Sequence, residues 1–238
     1  WESFPEYLDA LESFPRAIDV ATQVPHGAVR AYVMGERCNS DYAPTKEEVN
    51  QMAELVREGV EAGALGFSSS KTLLHKDIKG EYMPGTFSGN EEMLALGLGM
   101  KGLNNSVFEL VSDHLGEDEE WQWVKDFQKQ TGLTVTLIAT TAPAYKNNKM
   151  YNLAEQARIE GYEIRPQAAG RPTGVLHGLQ SSFHVFVGHP TWRRELASLN
   201  HKELVARLRD PATKKKILSE ETTIKNELLQ DIPSLMAQ

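Results

Sequence analysis

Val107-Phe108-Glu109-Leu110-Val111, then Asp118 to Gln130, then Thr134-Val135-Thr136-Leu137-Ile138-Ala139, then Met150 to Glu160 and Glu163-Ile164-Arg165-Pro166-Gln167, is the stretch that decides the fold. The first, third and fifth pieces are short runs rich in β-branched and apolar residues, which read as strands. The second places Trp121, Val124 and Phe127 inward at helical spacing, and the fourth is a second helix. Strand, helix and strand joined by short loops are βαβ units of a parallel sheet, so the fold class is α/β.

Upstream the same alternation continues. Thr45 with Glu48 three residues later is a capping box, and Val49, Met52, Ala53, Val56 and Val60 then share one helix face that ends near Gly63. Ala64 to Ser68 reads as a buried strand, and a Gly- and Pro-punctuated loop from Ser69 to Gly89 leads to a helix over Glu91 to Met100. At the start, Phe4, Leu8 and Leu11 have helical spacing up to Pro15, and two extended pieces follow, Ala17 to Val24 and Val29 to Met34. From Ser181 onward the pattern is loop and helix, with helices over Lys202 to Arg209 and Thr213 to Glu220.

This amounts to about five sheet strands in 238 residues, whereas a closed (β/α)8 barrel has eight in roughly 250. The expectation is an incomplete barrel: residues 1–180 as its central part, and residues 181–238 as a loop and helical segment of the same domain or of its periphery. An incomplete barrel has open sheet edges, which predicts self-association or poor solubility. There is no internal repeat.

Composition narrows the function. Lys+Arg 25 against Asp+Glu 33 gives a net charge of −8, the wrong balance for a protein that neutralises phosphates, so nucleic acid is not an expected partner. No apolar run approaches the roughly 20 residues that span a bilayer, so no membrane role is expected. The single cysteine, Cys38, forms no intrachain disulfide, and the expected compartment is a reducing cytoplasm. The chain opens on Trp1, with no initiator Met, signal peptide or transit stretch, so it is expected to be processed or part of something longer.

Seven histidines are present, without a His-x-His pair or a His-Glu-x-x-His motif. His184 and His189 are five apart, poor spacing for a shared metal on one strand face, and a structural role near Pro190 is the default. His26, in Pro-His-Gly after a strand with Arg30 four residues on, is a candidate for binding or acid–base work; hydrogen bonding to backbone at a turn is the alternative. Ser69, within Ser68-Ser69-Ser70, is placed to bind a carboxylate or phosphate, with ordinary loop polarity as the alternative. Without a Gly-x-Ser-x-Gly elbow, none of the three reads as a nucleophile. Asp113 and His114 end a strand and are candidates for polarising a water, or one of them for binding a metal, but Ser112 or Asp113 would also cap the next helix. Arg165, Gln167 and Arg171 surround another strand end, where the two arginines, Arg171 above all, suit bidentate capture of a carboxylate and surface salt bridging is the alternative.

Trp1-Glu2-Ser3-Phe4-Pro5-Glu6-Tyr7-Leu8-Asp9-Ala10-Leu11, Val24-Pro25-His26-Gly27-Ala28-Val29-Arg30 with Val33-Met34-Gly35, and Glu61-Ala62-Gly63-Ala64-Leu65-Gly66-Phe67-Ser68 occur in this order. Together they resemble the middle of the N-acyl-D-amino-acid deacylases, the D-aminoacylase branch of the amidohydrolase superfamily, over roughly Trp1 to Gly174. The resemblance implies a (β/α)8 TIM-type barrel, zinc, and a metal-activated water that cleaves an N-acyl amide while a carboxylate shuttles the proton. The family's first-strand His-x-His and its metal-bridging cysteine lie upstream of the matched part, and Cys38 does not stand in that motif. The family's histidine after the fifth strand belongs near Val111 to His114. That after the sixth belongs in Thr136 to Thr141, where there is none, and the last-strand aspartate would lie beyond Gln238. The metal ligands are therefore unknown from this chain.

Two functions are weighed. The first is a metal-dependent amidohydrolase that cleaves a C–N amide bond in an N-acyl (D-)amino acid or related small molecule. In it Asp113 and His114 carry the chemistry, and His26, Arg30, Ser69, Gln167 and Arg171 line the substrate space. The alternative is a catalytically incomplete barrel segment that binds a ligand or partner chain.

Overall fold

A computed structural model describes residues 1–39, 42–77, 79–103, 106–139, 149–168, 170, 178–181 and 184–223. The chain divides into two compact units, Trp1–Thr141 with Asn147–Gly170, and Ala142–Lys146 with Arg171–Gln238.

The first unit holds a parallel sheet of five strands among the described residues: β1 (Val24–Pro25), β2 (Gly66–Lys71), β3 (Val107–Ser112), β4 (Thr134–Ala139) and β5 (Ile164–Ala168). They lie side by side in chain order. A doubly wound sheet reverses its order at a switch point, whereas a (β/α) barrel adds each strand beside the last. The α/β expectation and the incomplete barrel therefore stand. Helices α1 (Phe4–Glu12), α2 (His26–Met34), α3 (Lys46–Glu61), α4 (Asn90–Gly99), α5 (Asp118–Thr131) and α6 (Lys149–Ile159) precede or connect the strands.

Strand alternation builds the core. Phe67, Phe108, Leu110, Val135, Leu137 and Ile164 point to one face and are buried with Met52 and Val56 of α3, Met93 and Leu96 of α4, and Val124 and Phe127 of α5. Phe108 joins three elements, its ring centroid 4.5 Å from Phe67 and 4.6 Å from Phe127. The Thr45–Glu48 capping box forms as expected at the start of α3. Gly66 is the tightest position in the sheet: at φ +140°, a Cβ there would stand 1.8 Å from the Val107 carbonyl oxygen.

Three expectations are corrected. Val29 to Met34 is not a strand but part of α2, and of Ala17 to Val24 only Val24 enters the sheet. The inward residues of α2 are His26, Val29, Arg30 and Met34, at helical spacing. Two of them are polar, so the apolar periodicity that marks a helix is broken, and the alternation of Val29, Ala31 and Val33 stands out instead. Helix α5 starts at Asp118 with Glu117 as its N-cap and no side-chain cap bond, so neither Ser112 nor Asp113 caps it.

The second unit contains a π-helical turn, Trp192–Leu196, followed by α7 (His201–Arg209) and α8 (Pro211–Leu218). Its own small core is Trp192, Leu196, Leu204 and Ile217. Asn200 caps α7 with Glu203 in a capping box, and Asp210 caps α8.

Candidate functional site

Register fixes which side chains meet at the carboxyl end of the sheet. Pro25 pairs with Ser68, so His26, the next residue and the first of α2, stands level with Ser69. The His26 ring bridges two partners: Nδ1 is 2.8 Å from Ser69 Oγ, and Nε2 is 2.9 Å from Glu92 Oε1. Both Glu92 oxygens also accept from Arg30 Nη1. Arg30 spends its other nitrogens on backbone, Nε on the Cys38 carbonyl at 2.9 Å and Nη2 on the Tyr42 carbonyl. His26 and Arg30 are each 1% exposed, and Ser69 and Glu92 are also buried. Gly85, at φ +91°, closes over the ring; a Cβ there would lie 2.9 Å from His26 Nδ1.

Burial by itself pushes the Glu92 carboxyl up, but hydrogen bonds and charge from His26 and Arg30 outweigh it and hold the group below the ordinary glutamate value. The network thus ties the end of β1, β2, α2 and α4 together through an ionised carboxylate. Three of the residues singled out in the sequence, His26, Arg30 and Ser69, are brought together here, beneath the surface. Arg30 and Glu92 form part of the wall of a cavity of about 600 Å³ that also includes Tyr42, Lys46 and Phe87. Glu92 was missed in the sequence. Its signal was a carboxylate four residues before Leu96, on the inward face of α4.

The ends of β2 and β3 form a second polar group. Asp113 accepts from Thr72 Oγ1 at 2.7 Å through one oxygen and from the Leu73 backbone N–H at 2.9 Å through the other, so it pins the turn that leaves β2. His114 lies beside it with its backbone N–H donated to Ser112 Oγ. Its ring Nδ1 is 2.8 Å from Glu117 Oε1, and both side chains are exposed. Ser70 Oγ is 2.7 Å from His75 Nδ1. Lys71 reaches Asn90 Oδ1 at 3.1 Å and Glu120 Oε2 at 3.5 Å. On β5, Gln167 is exposed and lies opposite Ile138. Arg171 lies outside the described residues. In the second unit, the His184 ring packs 4.0 Å from that of Trp192 and its Nδ1 accepts from the Phe186 N–H, as suits a structural histidine.

These donors do not fit a metal centre. Both ring nitrogens of His26 and both oxygens of Asp113 are committed within the protein. No three His, Cys, Asp or Glu side chains converge among the described residues. What the arrangement offers instead is an exposed imidazole–carboxylate pair, His114 with Glu117, at a strand end whose backbone is fixed from beneath.

The amidohydrolase family model matches residues 1–218. A D-aminoacylase of Alcaligenes xylosoxydans xylosoxydans is 39% identical over 69 residues, which is 29% of this chain and 14% of that enzyme. Uncharacterized proteins of Mycobacterium tuberculosis and Mycobacterium bovis are each 31% identical over 94 residues, 37% of this chain and 15% of theirs. The matched stretches thus span about a seventh of the relatives' own length. No solved structure matches the chain.

Proposed function

The chain belongs to the amidohydrolase family, and on that premise we propose that it serves hydrolysis of a C–N amide bond in an N-acyl amino acid or related small molecule. The observation that carries the reading is the family match across residues 1–218. The D-aminoacylase likeness supports the finer choice of an N-acyl amino acid.

In this reading the active face is the carboxyl end of the parallel strands. His114, oriented by Glu117, gives a proton to the departing amine nitrogen, because a neutral amine leaves far more readily than an amide anion. Asp113 is a positioning residue that holds the β2 turn in register with the β3 end. His26, Arg30 and Ser69 act from below, by fixing the end of β2, and Gln167 belongs to the substrate side. Zinc is the metal proposed for the family chemistry, although the described donors do not assemble a site for it. That same observation favours the second reading, a barrel segment that binds a small molecule or partner without turning it over. The proposed setting is cytoplasmic.

The test is amine release from N-acetylated D- and L-amino acids, using the chain with whatever flanking sequence its gene encodes, with and without added Zn²⁺. Release that His114→Ala lowers at least tenfold supports the hydrolase. A folded, metal-supplemented protein that releases no amine from either enantiomeric series overturns it in favour of the binding reading.

A further inference from the structure

On the sheet face opposite the buried aromatic residues, the register lines up a row of polar side chains. Ser68 pairs with Glu109, Glu109 with Thr136, and Thr136 with Arg165, across β2, β3, β4 and β5. Their neighbours Phe108, Leu110, Val135 and Leu137 belong to the core on the other face, so alternation puts all four members of the row on one side. In a (β/α) barrel this is the side facing the axis.

Two members drawn out of water, Thr136 and Glu109, stand without partners among the described residues. Thr136 is 6% exposed, and its Oγ1 has no hydrogen bond. The half-buried Glu109 carboxylate receives no hydrogen bond or ion pair among the described residues. A buried hydroxyl with nothing to bond is costly, as is a carboxylate drawn partly out of water, and a polar ligand would relieve both. Among the described residues Arg165 is tied only to Glu163, in a pair whose side chains are 69% and 56% exposed. Such a surface pair exchanges at little cost.

Adjacent strands are about 4.8 Å apart, so Glu109 and Arg165 stand roughly 10 Å apart with the short Thr136 between them. Two long side chains of opposite charge thus flank a short hydroxyl on one sheet face. We propose that this row is the subsite for the amino-acid half of an N-acyl amino acid. The α-carboxylate accepts from Arg165 and from the Thr136 hydroxyl, and the amide N–H donates to Glu109. A guanidinium gives a carboxylate two parallel donors, and an acceptor carboxylate suits the lone amide N–H. The inference rests on the acyl-amino-acid reading above but concerns recognition, not turnover.

The experiment is calorimetric binding of N-acetylleucine, in either enantiomer, and of its methyl ester, which keeps the amide and loses the carboxylate charge. The acid is expected to bind the protein at least tenfold more tightly than the ester. Arg165→Gln, at an exposed position that leaves folding intact, is expected to abolish that preference. Thr136→Val is expected to weaken the acid at least threefold while the thermal midpoint stays level or rises. Equal binding of acid and ester, no binding of either, or a preference that survives Arg165→Gln overturns the subsite. Turnover with an unchanged preference in Arg165→Gln would sink the subsite and leave the hydrolase standing. The expected binding pattern without turnover would do the reverse.

Discussion

Glu92→Gln tests whether the buried network holds the strand ends together. Glu92 and Arg30 form an ion pair whose side chains are 4% and 2% exposed, and the same carboxylate receives His26 Nε2. Glutamine keeps the volume and one carbonyl acceptor but removes the charge, leaving a guanidinium buried without its counterion. Breaking a buried pair from one side costs about 3–5 kcal/mol. Because the amide oxygen still accepts one bond, the expected loss is near the lower end, about 3 kcal/mol. Against a typical total of about 5–15 kcal/mol, that is a large fraction of the stability of the fold. Urea denaturation at neutral pH reads it as a lower midpoint at unchanged slope.

The pH dependence gives an independent check. The folded-state pKa of Glu92 lies below the ordinary value of 4.5. Its contribution is therefore fully present above the unfolded value and is lost as pH falls through the folded one. The stability gap between wild type and Glu92→Gln should be constant near neutrality and close in acid. Glu155→Gln, which breaks a fully exposed pair with Arg158, should leave the midpoint in place. A Glu92→Gln loss under about 1 kcal/mol, or a gap that widens in acid, would refute the reasoning.

Other substitutions probe the scaffold. Thr45→Ala removes the hydroxyl that accepts from the Glu48 N–H and should cost about 1 kcal/mol in denaturation, with circular dichroism still native. Gly66→Ala drives a methyl into the Val107 backbone, where nothing can yield, and should abolish soluble folded protein. Asp113→Ala frees the Thr72 hydroxyl and the Leu73 N–H; faster amide exchange confined to the segment after β2, with little change in the global midpoint, is the expected result.

The sequence by itself determined the alternation from β2 to β5, because β3 and β4 are runs rich in β-branched and apolar residues and Trp121, Val124 and Phe127 mark the helix between them at helical spacing. It also determined the capping box at Thr45, a local pattern closed within four residues. It showed that His26, Arg30 and Ser69 stood near strand ends, and the family resemblance in ordered segments at the start of the chain. Only the tertiary structure decided how those residues are used. Glu92, 66 residues from His26 in sequence, reads as an ordinary first-turn acid until packing turns it inward onto Arg30. Asp113 looked like a helix cap, but its partners Thr72 and Leu73 are 41 and 40 residues away, and no local pattern announces them. The conformation of α2 was hidden for the same reason: its inward face is polar because its partners come from other elements. The sequence marks Arg165 and Ser68 as polar residues near strand ends, but their alignment with Glu109 and Thr136 in one row exists only once four strands share one register.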